Sequence, residues 1–216
     1  MTIEAFFLAA DFAMEVVERP EVATDWGKPS LVEGYSVGGI VGHMASVLAR
    51  TETLIIEPEP KKVNWLGPEI FYGDNRICDS EDLKSGLPAF LIADGERRAL
   101  AGHSNVVESM KRSLTELDVQ VDKIPKTKLV PLVAFRNGAT DVQTYLETRC
   151  VELVVHVDDV VTSIGLESMY NKLPKKVGDV VIKVLTCVSR TMVDDINVIR
   201  AFTRPERVPP NHIRIF

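Results

Sequence analysis

The stretch TDVQTYLETRCVELVVHVDDVVTSIG, residues 140–165, decides how the rest of the chain is read. Placed on a helix at roughly 100° per residue, Tyr145, Arg149, His156, Asp159 and Ser163 fall within about 60° of Glu152 and form one polar stripe. A run of charges ordinarily marks a solvated face laced with ion pairs three and four residues apart. The borders argue otherwise. Val142 and Val160 flank the stripe on one side, Val151 and Val155 on the other, while Glu147, Asp158 and Thr162 form a separate polar face for water. A polar stripe with apolar borders is expected to turn inward. Buried ionisable groups must be paired or bind a metal, because an isolated buried charge costs several kcal/mol. Glu152 and His156, at i and i+4, put a carboxylate and an imidazole on one side of the helix, as metal-binding bundles do. Thr140 and Gln143 read as a capping box opening this helix, and Gly165 as its stop.

Working outward, residues 2–18 repeat apolar side chains at helical period, with Glu4, Asp11, Glu15 and Glu18 opposite. Pro29, Gly27 and Gly34 break the chain before Ser36, an N-cap for a second helix from Val37 to about Glu57. Residues 58–87, with Pro58, Pro60, Gly67, Pro68 and Gly73, read as a long crossover of the kind that covers sites. A third helix runs from Pro88 to about Leu117, with Leu100, His103, Val107, Met110, Leu114 and Leu117 at three-and-four spacing. An extended piece, KLVPLVAFRNG, follows and closes on an Asn137-Gly138 turn. After the fourth helix, Pro174 starts a fifth that ends before Pro205, leaving a Pro-rich tail. The expected fold is all-α: an up-and-down four-helix bundle over residues 1–166 with a long crossover, and a short C-terminal helix and tail over 167–216.

The composition fits that bundle. Of 216 residues, 45% are apolar and 26% charged, an ordinary balance for a chain that buries its own core. Twenty-five Lys and Arg against 31 Asp and Glu give −6, and without any basic block this argues against nucleic-acid or anionic-membrane partners. A small molecule is the expected ligand. Cys78, Cys150 and Cys187 are odd in number and widely spaced, which fits a reducing, cytoplasmic setting rather than a disulfide framework. The apolar stretch from Phe6 to Val17 carries Asp11 and Glu15 and no basic lead, so it reads as a core helix rather than a signal peptide or membrane span.

On the second helix, His43 lies at the edge of the arc formed by Ile40, Met44, Thr51 and Ile55, and so points into the bundle. With Glu152 and His156 it completes a His, Glu, His set, the ligand count of an open catalytic zinc site or of a ferrous two-histidine, one-carboxylate triad. His103 also lies on an apolar helix face and is the competing histidine, with a hydrogen-bonded core residue as its plainer role. His212 sits in the tail. Cys78 has no partner histidine nearby in sequence and reads as an inert thiol. Asp159, one turn past His156, is placed to orient it, and Arg149 to pair with Glu152 or with an anionic substrate.

Two motifs resemble the DinB-like metalloproteins and, among them, the mycothiol-dependent maleylpyruvate isomerase group. The first is Trp26, Pro29, Ser30, Gly34-Tyr35-Ser36-Val37 and Val41-Gly42-His43, similar to that family's W-x-x-P-S, G-W-T-V and helix-two histidine. The second is Tyr145-Leu146, Arg149, Glu152, His156, Asp159 and Gly165, similar to its Y-L-x-x-R-x-x-E-x-x-x-H-x-x-D pattern. Tyr35 stands where Trp is usual, Val32 where Cys is frequent, and Gly38-Gly39 where a charged pair is common. The resemblance implies a divalent metal, usually zinc, on the residues matching His43, Glu152 and His156, and mycothiol as a thiol that attacks a small electrophile. An isomerase or S-transferase is then expected, and a homodimer is compatible with it. A non-catalytic bundle that sequesters a metal or ligand under stress is the alternative reading, and three merely hydrogen-bonded core residues the plainest.

Overall fold

The helix Val37–Ile56 (α3) is buried along most of its length, because VGGIVGHMASVLARTETLII is small or apolar on all faces until its last turns. Such a helix must be surrounded. In the computed structural model, which describes residues 2–61, 63–73, 86–132 and 138–208, the neighbours are Thr2–Val17 (α1), which the short helix Pro20–Thr24 (α2) follows, His103–Val121 (α6) and Val142–Ser163 (α7). α6 and α7 pack on α3, and α1 packs on α7 and α6, giving the expected four-helix bundle. Phe6, Ile40, Met44, Leu48, Met110, Leu117, Leu146 and Leu153 fill its centre, all fully buried. Ser36 caps α3 as expected, its hydroxyl accepting from the Gly39 N–H at 2.9 Å.

The third helix of the sequence reading is two. Gly86–Ala99 (α5) and α6 are separated by a tight turn in which Gly102 takes φ +81°, a conformation that costs glycine little and other residues much. Leu100 therefore sits in the turn, 87% exposed, rather than on the apolar stripe. The turn lets both segments lie against α3. At the crossing with α5, a Cβ on Gly42 would run into the carbonyl oxygen of Gly95, so the two backbones meet where a side chain could not fit.

Residues 58–87 are not featureless. Asn64–Trp65 (β1) pairs in parallel with Gly138–Asp141 (β3), which pairs antiparallel with Leu129–Pro131 (β2), and Pro68–Gly73 forms a short helix (α4). Gly138 belongs to β3, and the rest of the expected turn lies outside the described residues. Thr140 pairs with Val130 in the sheet and so cannot cap α7. Asp141 does this instead, its carboxylate accepting from the Thr144 N–H at 2.8 Å and hydroxyl at 3.0 Å. The far end of α7 is as expected: Gly165 takes φ +71°, and the Leu166 N–H reaches the Val161 carbonyl at 2.9 Å.

The single fifth helix is also two, Lys175–Met192 (α8) and Asp195–Thr203 (α9). Val177, Val181, Val184 and Val188 make one stripe on α8, which packs on α7, α4 and α1. That packing overturns the solvated role expected of Glu147: it is buried, with Lys183 of α8 at 3.0 Å and the Thr2 hydroxyl at 3.2 Å. Asp158 and Thr162 remain exposed. Among the described residues no helix is long and apolar enough to cross a membrane.

Candidate metal centre

α7 runs through the core, and its polar stripe faces α3. Glu152 and His156 stand one turn apart there, and the second turn of α3 brings His43 opposite them. Nε2 of His43 and Nε2 of His156 each lie 3.7 Å from the same oxygen, Oε2 of Glu152. The two imidazole rings are 4.7 Å apart, centre to centre, and nearly perpendicular. One donor atom from each of the three residues lies within 4.8 Å of the others.

These separations are too long for hydrogen bonds and short enough to share one cation. Ligands about 2.1 Å from a tetrahedral ion stand roughly 3.4 Å from one another. Two imidazoles and a carboxylate are also a borderline-hard set that suits zinc or ferrous iron. The residues present therefore fit a divalent metal.

A model of the mycothiol maleylpyruvate isomerase N-terminal domain family matches residues 6–161, a span that holds all three donors. The chain belongs to that family. The crystal structure of the mycothiol-dependent maleylpyruvate isomerase superposes on 86% of this chain and 68% of its own, with a TM-score of 0.55 and 13% identity. At that identity the likeness speaks for the fold, which is DinB-like. No curated protein matches the chain in sequence.

In this member of the isomerase-domain family, a ring of polar contacts surrounds the donors. Nδ1 of His156 lies 2.9 Å from Oδ2 of Asp159, which turns Nε2 toward Glu152. Arg149 is buried, with Nη2 3.9 Å from Oε1 of Glu152, two contacts to the Thr148 hydroxyl at 3.2 Å, and its guanidinium 5.0 Å over the Tyr145 ring. Burial alone would push the Glu152 carboxyl up, but the two imidazoles and Arg149 outweigh it and hold the carboxyl well below the usual range. Burial pulls His156 down, yet Asp159 and Glu152 more than offset this and raise it to about 9. His43, more deeply enclosed, is lowered by burial, and its Nδ1 is buried without a hydrogen-bond partner among the described residues.

The remaining sequence candidates fall outside the cluster. His103 opens α6, with Nε2 2.7 Å from the Val17 carbonyl and its ring edge-on to Trp26, a structural role. Ser163, the last member of the stripe, contacts the Asp159 carbonyl and accepts from the Leu31 N–H at 3.0 Å, tying down the loop before α3. The first family motif builds that same loop: the Trp26 indole donates to the Ala99 carbonyl at 3.1 Å, and the Ser30 hydroxyl to that of Tyr35 at 2.9 Å. Tyr35 in turn sets its ring edge-on to His43, centres 6.1 Å apart. Cys78 and His212 lie outside the described residues.

One contributor was missed. Tyr72 of α4 places its hydroxyl 2.9 Å from the Thr148 carbonyl and 3.2 Å from Oε1 of Glu152. The signal for it was present: Pro68 and Gly73 frame I-F-Y as a helix start and stop inside the presumed crossover.

Proposed function

We propose that the chain is a metal- and thiol-dependent enzyme in which His43, Glu152 and His156 hold a divalent cation, zinc by preference. Mycothiol would supply the sulfur that attacks a small electrophile, in an isomerisation or an S-transfer. The observation that carries the reading is the meeting of two imidazoles and one carboxylate, from two helices far apart in sequence, around a single point, in a chain of this family. A cation bound there supplies Lewis acidity and a lowered pKa for a coordinated thiol.

The chain's own residues set the conditions. Asp159 fixes the orientation of His156, and Arg149 joins the two imidazoles in keeping Glu152 ionised. With His156 neutral, Glu152 and Asp159 contribute two negative charges and Arg149 one positive charge. A dication would leave the group with an excess of positive charge, which favours an anionic ligand such as a thiolate. No cysteine among the described residues offers that thiolate: burial pushes Cys150 up to about 12, and burial with the nearby Glu69 carboxylate raises Cys187. The reading therefore calls for an external thiol.

Cobalt-substituted protein tests it directly. Adding mycothiol should produce a thiolate-to-cobalt charge-transfer band, and His156→Ala should abolish it. A fully metallated sample with no band and no calorimetric thiol binding would favour a metal-sequestering bundle instead.

A further inference from the structure

The Tyr72 hydroxyl has one hydrogen, and among the described residues it faces two acceptors, the Thr148 carbonyl at 2.9 Å and Oε1 of Glu152 at 3.2 Å. The Thr148 carbonyl lies inside α7, where the helical ladder already engages it from four residues on. The ionised carboxylate is thus the acceptor with capacity to spare and the stronger pull. Arg149 faces the same Oε1 at 3.9 Å, while Oε2 is turned to both histidines at 3.7 Å. The two oxygens of Glu152 have different partners.

We propose that Tyr72 is a positioning residue: by holding Oε1, it makes Glu152 present Oε2 alone to the point between His43 and His156. The inference rests on the metal-binding reading above. A carboxylate that ligates through one oxygen leaves a coordination position that a two-oxygen carboxylate would fill, so Tyr72 helps keep room for an external ligand. The tyrosine is delivered by α4, which packs on α8 and α7. α4 thereby helps decide the coordination number at a centre whose ligands lie on other elements.

The experiment is a cobalt titration of the full chain and of Tyr72→Phe, followed by visible absorption. Tyr72→Phe should lower cobalt affinity about 10- to 100-fold, the usual effect of losing a partner behind a metal ligand. Its d–d bands should weaken, as they do when cobalt gains a ligand atom. An identical titration and spectrum would overturn the inference while leaving the metal reading intact, and absence of cobalt binding to the unaltered chain would overturn both. A role confined to stability would lower the melting temperature without moving the cobalt spectrum, and also count against it. Should Tyr72→Phe fail to fold, the unaltered chain with zinc and 13C-labelled glutamate still decides. The wide splitting of carboxylate stretches expected of one-oxygen ligation would support the proposal, and the narrow splitting of two-oxygen ligation would overturn it.

Discussion

Asp159 meets His156 through Nδ1, on the side of the ring away from Glu152, and so would act on the proposed centre without being one of its donors. A carboxylate there fixes the tautomer that leaves Nε2 free and makes the ring a better ligand. For the centre proposed, Asp159→Asn should lower cobalt or zinc affinity about 10- to 100-fold, measured by competition with a chelator. Unchanged affinity and activity would remove Asp159 from the site. The placement of His43, Glu152, His156 and Asp159 was legible in the sequence because helical periodicity fixes which side of a helix a residue occupies. The partners that arrive from neighbouring elements were not. Nothing in the spacing of Glu147 reveals that Lys183 and Thr2 cover it, and Tyr72 reaches Glu152 across 80 residues of sequence.

Two carboxylates hold α5 to α3: Glu96 accepts from the Ser36 N–H at 2.6 Å and hydroxyl at 2.9 Å, and Asp94 is the other. Asp94 receives the Ser46 hydroxyl at 2.7 Å and Nε of Arg98 at 3.1 Å, pairs with Arg97, and has Arg50 at 3.9 Å. Burial would push its pKa up, but the Ser46, Arg97 and Arg98 contacts outweigh that and hold it well below the usual carboxylate range. A depressed folded-state pKa contributes stability that is complete above the unfolded value, about 3.9, and is lost as pH falls below it toward the folded one. Chemical denaturation of the wild-type chain should therefore lose stability steeply below about pH 4. Asp94→Asn should flatten that acid limb and cost roughly 1.5–3 kcal/mol at neutral pH. An acid limb identical in the two proteins would show that Asp94 does not hold the helix. The separation of α5 from α6 was hidden because the three-and-four spacing continues through Leu100 and His103, while the break depends on Gly102, one glycine in an otherwise helical pattern. The same limit applies at Val193, where α8 gives way to α9 without any proline or glycine.

For the molecule as a whole, the instructive boundary is the end of α7. The family match stops at residue 161, and the four helices of the bundle are complete by Ser163. The core is not. Val177, Val181, Val184 and Val188 are all buried, and they cover the outer faces of α1 and α7 as well as the helix that carries Tyr72. Burying a valine contributes roughly 1.5–3 kcal/mol, an upper estimate because unfolded chains are already partly collapsed. Four of them amount to a large share of the ~5–15 kcal/mol that keeps a domain folded. A chain ended after Leu166 would also lose the Lys183 partner of Glu147 and uncover the faces of α1 and α7 that α8 packs on. Such a chain should lose its cooperative urea transition, and Val184→Ala in the full chain should lower stability by roughly 1–3 kcal/mol. Because α8 supports α4, metal affinity should fall with the truncation even though no donor is removed. A truncated chain with the wild-type midpoint and cobalt affinity would place residues 167–216 outside both the core and the centre.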